Sequence, residues 1–191
     1  MIVRSALSVA LIATLAGVTA SAAFADDNDN GKRSFATNLN GYQETPATIN
    51  SPGSGEFAAK VSPDQTSIDW VLTYRDLPTN VLQAHIHFGR PATSGGIVLF
   101  LCTNLGNGPA GTQLCPTDPI GGEFTVTGTL TAADVRPVAG QGIAAGAEGF
   151  AQIVEAMRNG AAYANVHTAQ ITSGEIRGAI GKPHDHGNGQ D

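Results

Sequence analysis

The sequence predicts an all-β domain, an antiparallel β-sandwich of about eight strands with Greek-key-like connections and one or two short helices. Gly and Thr are frequent in the chain beyond its N-terminus, and Val and Ile recur in its apolar segments. Short segments alternate apolar and polar residues, which is typical of strands with one buried face. Gly, Pro, Asn and Asp separate these segments at regular intervals, as in sandwiches and barrels.

Eight segments fit the strand pattern. Residues 35–41 alternate, with Phe35 and Leu39 on one face. Residues 97–102 form a continuous apolar run, which indicates a strand buried on both faces. The other predicted strands are residues 55–61, 67–74 (with Trp70 in the core), 82–88, 122–130, 162–168 and 175–180.

Two helical segments interrupt the strands. Thr131 is a suitable N-cap for a short helix ending near Val135. Apolar residues recur at helical spacing from Phe150 to Met157, and the Gly160 that follows is a typical helix stop. Between them we expect residues 140–149 to form a flexible connection.

The first 25 residues have the three parts of a Sec signal peptide. Arg4 precedes an apolar run over residues 6–20, and residues 23–25 form an A-x-A site. We predict cleavage after Ala25, a periplasmic or secreted location and no transmembrane anchor in the mature chain. An uncleaved anchor helix is the alternative, although the apolar run is short for a bilayer span of about 20 residues.

The predicted domain, residues 34–181, lies between two polar ends. Residues 26–33 are expected to be a flexible lead and residues 182–191 a disordered tail, because neither has the apolar content of a core. The tail contains a His-Asp-His sequence that could bind a metal loosely. The chain has 10 basic and 16 acidic residues, a net charge of −6. With no basic cluster, this balance argues against a nucleic-acid partner.

The two cysteines, Cys102 and Cys115, predict one intramolecular disulfide. They flank a loop rich in Gly, Asn and Pro. An exported protein reaches an oxidising compartment, where a single cysteine pair normally forms a disulfide. A thiolate metal site is the alternative, and the same oxidising conditions disfavour it.

Three histidines occur in two of the predicted strands. His85 and His87 share one strand face while Ile86 faces the other way, and Asn165 and His167 share a face in the same manner. If these two strands are neighbours or face each other, the three imidazoles converge. Three histidines with a vacant position are typical of reactive zinc or copper sites. We therefore predict a mononuclear copper or zinc site, the alternative being hydrogen-bonded structural histidines.

Charged residues accompany these strands. Glu175 or a backbone group could orient one of the imidazoles by a hydrogen bond to the ring nitrogen that does not bind the metal. Glu175 and Arg177 are two residues apart on one strand, which favours a structural ion pair over a catalytic couple. Glu44 lies in an irregular segment, where we expect it to accept hydrogen bonds from backbone N–H groups rather than to bind a metal.

Four motifs together resemble the CHRD (chordin) domain, over residues 34 to about 180. They are F-A-T-N-L-N-G-Y-Q-E-T-P at 35–46, A-H-I-H-F-G at 84–89, Y-A-N-V-H-T at 163–168 and G-E-I-R-G at 174–178. The family occurs as repeats in secreted chordins, which bind growth factors, and as single domains in exported bacterial proteins, for which the resemblance implies no settled activity. The motif residues that it marks are Glu44, His85, His87, Asn165, His167, Glu175 and Arg177. The cysteine-flanked loop departs from the family pattern and looks like an insertion.

A weaker likeness concerns the copper ligands of Cu/Zn superoxide dismutase, which also include an H-x-H strand and a later histidine. A binuclear site of that kind needs about six His and an Asp, whereas the predicted core holds three His.

We therefore expect an exported binding module, able to hold one ion, whose partner is an envelope or extracellular protein or ligand. The alternatives are a dismutase-like copper redox enzyme and a structural envelope or matrix protein without a site.

Overall fold

The computed structural model describes residues 33–181. The segments predicted as a signal peptide (1–25), a flexible lead (26–33, apart from its last residue) and a disordered tail (182–191) lie outside the described residues. The predicted domain of residues 34–181 lies within them.

The described chain contains eight strands and one α-helix. Burial alternates along strands such as β3, where Ile68, Trp70 and Leu72 face the core and Asp69 faces solvent. The strands are β1 (Ser34–Asn40), β2 (Ser54–Val61), β3 (Ser67–Arg75), β4 (Val81–Phe88), β5 (Gly96–Thr103), β6 (Phe124–Thr131), β7 (Ala162–Thr168) and β8 (Ile176–Ile180), and the helix is α1 (Gly146–Arg158).

The prediction of an eight-stranded antiparallel β fold with one or two short helices is confirmed. All eight strands belong to one continuous sheet in the order β5-β4-β7-β8-β1-β2-β3-β6. The sheet curls until its two end strands approach each other, so the two layers that face across the core belong to the same sheet. Strands β1, β2 and β3 pair consecutively, and β8 returns after a long connection to pair with β1, which is a Greek-key-like arrangement.

The loop between Cys102 and Cys115 covers the seam between the two end strands. The side-chain amide of Gln113 donates hydrogen bonds to the carbonyls of Leu101 on β5 and Thr127 on β6. The predicted disulfide is confirmed, and it anchors the end of this loop to β5. The loop therefore shields backbone groups that the end strands would otherwise expose.

The helical segments agree with the sequence except in one place. Thr131 caps a short 3₁₀ helix at Ala132–Asp134 with a capping box, and Asn159 ends α1 before a left-handed Gly160. The flexible connection expected over residues 140–149 is wrong. This stretch includes part of a 3₁₀ turn and the first turn of α1, because the packing of α1 on the core outweighs the low helix propensity of its glycines.

Within residues 33–181, no helix combines the length and the apolar character needed to cross a lipid bilayer.

The disulfide should contribute measurably to stability. In the Cys102→Ala/Cys115→Ala variant we expect the free energy of unfolding to fall by about 3 kcal/mol, because the unfolded chain is no longer constrained by the cross-link. Urea denaturation followed by tryptophan fluorescence measures this value. Leu114→Ala, an exposed change in the same loop, is the control and should stay within about 0.5 kcal/mol of wild type. Equal stability of the double variant and wild type would contradict the expectation.

Candidate metal centre

Strands β4 and β7 present the three histidines on one face of the sheet. The antiparallel register pairs His85 with Asn165, His87 with Tyr163 and Gln83 with His167. Intervening residues such as Ile86 and Val166 belong to the hydrophobic core on the other face. The prediction that alternate residues of these strands point to opposite layers is thus confirmed.

The three imidazoles converge on one point. One ligand nitrogen from each of His85, His87 and His167 lies within 4.8 Å of the other two. All three side chains are buried, with His85 fully inaccessible to solvent. Because zinc and copper bind imidazole nitrogen at about 2.0–2.1 Å, the rings would need to approach one another by roughly 1 Å to share an ion.

Backbone carbonyls fix the orientation of two rings. Nδ1 of His87 lies 3.0 Å from the carbonyl oxygen of Gly95, and Nδ1 of His167 lies 3.0 Å from that of Thr172. A carbonyl only accepts hydrogen bonds, so each Nδ1 carries the proton and each neutral ring keeps its lone pair on Nε2. Of the two orienting groups that the sequence suggested, the backbone therefore fills the role and Glu175 does not.

Both Nε2 atoms and both nitrogens of His85 are buried without a hydrogen-bond partner. Buried polar atoms in proteins are nearly always hydrogen-bonded, and each unsatisfied atom costs about 1–3 kcal/mol. The rings of His85 and Phe100 pack edge to face, with centroids 4.4 Å apart. The pocket thus combines unused nitrogen lone pairs with an apolar wall, and this donor set suits zinc or copper.

Burial keeps the imidazoles neutral. Desolvation is the main cause that lowers the pKa of His85 to about 2 and that of His87 to about 4, and it also lowers the pKa of His167. A neutral imidazole is the form that binds a metal ion. The pocket therefore requires no deprotonation of its three rings at neutral pH.

A stack of three side chains supports His87. Its ring lies parallel to that of Tyr163 with centroids 4.6 Å apart, and the guanidinium carbon of Arg177 lies 3.4 Å from the Tyr163 centroid. Because β7 lies between β4 and β8, the tyrosine ring is between the imidazole and the guanidinium. Arg177 also donates to the carbonyls of Arg90 and Thr93, which ties the β4–β5 loop to the stack.

The other motif residues form a hydrogen-bonded layer beside the histidines. Nδ2 of Asn165 donates to Oε1 of Glu44 at 2.6 Å, so Glu44 accepts from a side chain as well as from the irregular backbone around it. Burial raises the pKa of Glu44 to about 7. Gly174 lies against the Asn165 amide and the Glu44 carboxyl. Glycine is required there, because a Cβ would lie 2.6 Å from the Asn165 amide and the backbone has φ +124°.

The ion pair predicted between Glu175 and Arg177 is not formed. The Glu175 carboxylate accepts hydrogen bonds from Ser51 and Thr168 and is nearly inaccessible, whereas Arg177 stacks on Tyr163. The sequence suggested that Glu175 and Arg177 alternate along one strand. Strand β8 begins at Ile176, so Glu175 lies before the strand and not in it.

Tyr163 and Phe100 also contact the histidines, although the sequence did not predict a role for either. Tyr163 lies two residues before Asn165 on β7, so the two-residue period was enough to place it on the histidine face. Phe100 lies opposite His85 beside an irregularity in the β4–β5 pairing, which no local pattern in the sequence reveals.

The chain matches a known protein family. A family model described as the CHRD domain matches residues 35–180. No curated protein and no solved structure matches the chain.

The burial of His85 predicts a specific pH dependence of stability in metal-free protein. His85 stays neutral when folded but protonates below its ordinary pKa of 6.5 when unfolded, so acid favours unfolding. The stability difference between wild type and His85→Leu should therefore change by about 1.4 kcal/mol per pH unit between pH 6 and pH 4.5, with wild type losing more.

Urea denaturation in the presence of EDTA at several pH values measures this difference. Ile86→Val is the control, because it alters the neighbouring residue without removing a titratable group, and its profile should run parallel to wild type. Parallel profiles for His85→Leu and wild type would contradict a buried neutral His85.

Proposed function

The chain belongs to the CHRD domain family, and from that premise we propose that it is an exported binding module that holds one copper or zinc ion between His85, His87 and His167. The observation that carries the metal assignment is the set of buried imidazole nitrogens without hydrogen-bond partners, converging on one point. A domain in which these histidines were only structural would leave those nitrogens unsatisfied.

The residues of the pocket prepare the ligands before an ion arrives. The carbonyls of Gly95 and Thr172 hold His87 and His167 with Nε2 toward the common point. A bound copper or zinc ion would supply Lewis-acid chemistry at this point.

We propose that the protein works in the periplasm or outside the cell and that its partner is an envelope or extracellular protein or ligand. The signal-peptide pattern of residues 1–25 and the disulfide support an oxidising destination. The binding role of secreted members of the family supports a partner for the module as a whole.

Metal analysis tests the proposal directly. Mature wild-type protein without an affinity tag, loaded with Zn(II) or with copper under reducing conditions and then dialysed, should retain one ion per chain by mass spectrometry. His85→Leu should retain a substoichiometric amount, because one ligand is lost. Its leucine replaces a fully buried ring without adding a polar group, so the fold should persist.

The tail offers a matched control. His184→Gln/His186→Gln removes the chain's other H-x-H motif and should still retain one ion per chain. Equal metal content in wild type and His85→Leu, with loss in the tail variant, would contradict the proposed site.

A further inference from the structure

Two arginines flank the three histidines, each with an aromatic ring in between. Arg177 lies over Tyr163, which stacks on His87. On the other side, the guanidinium carbon of Arg136 lies 5.4 Å from the ring centroid of Phe100, which packs edge to face with His85. One aromatic ring therefore separates the positive charge of Arg177 from His87, and one separates that of Arg136 from His85.

The charges of both arginines reach the imidazoles. Burial is the main cause of the lowered pKa of His87 and His85, and the positive charges of Arg177 and Arg136 respectively contribute in the same direction. Arg177 is 2% exposed, so water screens its charge poorly. Arg136 is exposed and should act more weakly.

The neighbouring carboxylates do not supply a compensating ligand. Among residues 33–181, the group of metal-binding side chains at this point contains histidines alone. Glu175 is held by Ser51 and Thr168, and Glu44 is held by Asn165. Burial raises the pKa of Glu44 to about 7, so a large part of this carboxyl is neutral at pH 7 and offsets Arg177 only partly.

The pocket also restricts a fourth ligand. The unpartnered nitrogens of all three histidines are shielded from solvent, and His87 and His167 are each only 7% exposed. Zn(II) in proteins is almost always bound by four ligands, the fourth in an open site being water or substrate. Cu(I) is stable with three neutral nitrogen donors and needs no added water.

We propose that the pocket selects monovalent copper, Cu(I), over Zn(II) and Cu(II), and that Arg177 and Arg136 determine this selectivity. The inference rests on the proposed function, since it names the ion for that same site. A fixed positive charge repels a divalent ion about twice as strongly as a monovalent one. The neutral nitrogen donors and the exclusion of water from the pocket also favour Cu(I) over the divalent ions.

The test combines competition and electrochemistry on the mature full chain. Anaerobic competition with a Cu(I) chelator, and separate competition with Zn(II) and Cu(II) chelators, should show that wild type binds Cu(I) most tightly. In Arg177→Met, the preference for Cu(I) over Cu(II) should fall by roughly tenfold. For this one-electron couple, that change lowers the midpoint potential by about 59 mV.

Three further variants separate the effect of charge from that of structure. Arg177→Lys keeps the charge but not the forked hydrogen bonds, so its potential should stay near that of wild type. Arg136→Gln should lower the potential by a smaller amount and, because the side chain is exposed, should leave the fold intact. Arg75→Met removes an arginine that pairs with Glu56 and Glu123 away from the site, and it should leave the potential unchanged.

The outcomes distinguish this inference from the proposed function. If one ion binds per chain but Zn(II) or Cu(II) binds at least as tightly as Cu(I), the selectivity is overturned while the metal site stands. If Arg177→Met and Arg136→Gln leave the potential unchanged, the role of the arginines is overturned. If none of the three ions binds in stoichiometric amount, the proposed function itself fails.

Discussion

The antiparallel pairing of β4 with β7 is the constraint on which the histidine pocket depends. In the observed register, His85 and His87 face the same side as Asn165 and His167, and the residues between them enter the core. A shift of one residue in either strand would turn that strand's polar set into the core and its apolar set outward. The apolar residues Ile86 and Val166, which have no contact role toward a metal, therefore keep the histidines together.

The second feature is a layer of four buried polar residues beside the imidazoles. Glu44, Asn165, Glu175 and Arg177 are all buried, and each has a hydrogen-bond partner. The loops that cover the layer provide carbonyl groups to His87 and His167. The free lone pairs of the pocket carry a cost that stability alone does not explain, because an apolar residue at His85 would avoid it.

The sequence predicts the positions of the strands well, but it does not predict which strands pair or which loop groups contact them. Alternation located the strands to within about two residues, and the bounds of β7, Ala162–Thr168, agree fully. The order of strands in the sheet depends on long-range pairing, so the sequence could only make the convergence of the histidines conditional on it. The carbonyls of Gly95 and Thr172 come from loop backbone, which every residue type offers equally. Glu175 was misassigned because its strand begins one residue later than the pattern suggested.

Long-range ¹H–¹⁵N NMR correlation of the histidine rings tests the central claim most directly. In metal-free protein at pH 7, the account predicts neutral rings for His85, His87 and His167, with the proton of His87 and His167 on Nδ1. Addition of one equivalent of Zn(II) or Cu(I) should shift the Nε2 resonances of these two rings, together with one nitrogen of His85, to metal-bound values. Charged imidazolium rings at pH 7, protons on Nε2, or resonances that do not respond to either ion would contradict it.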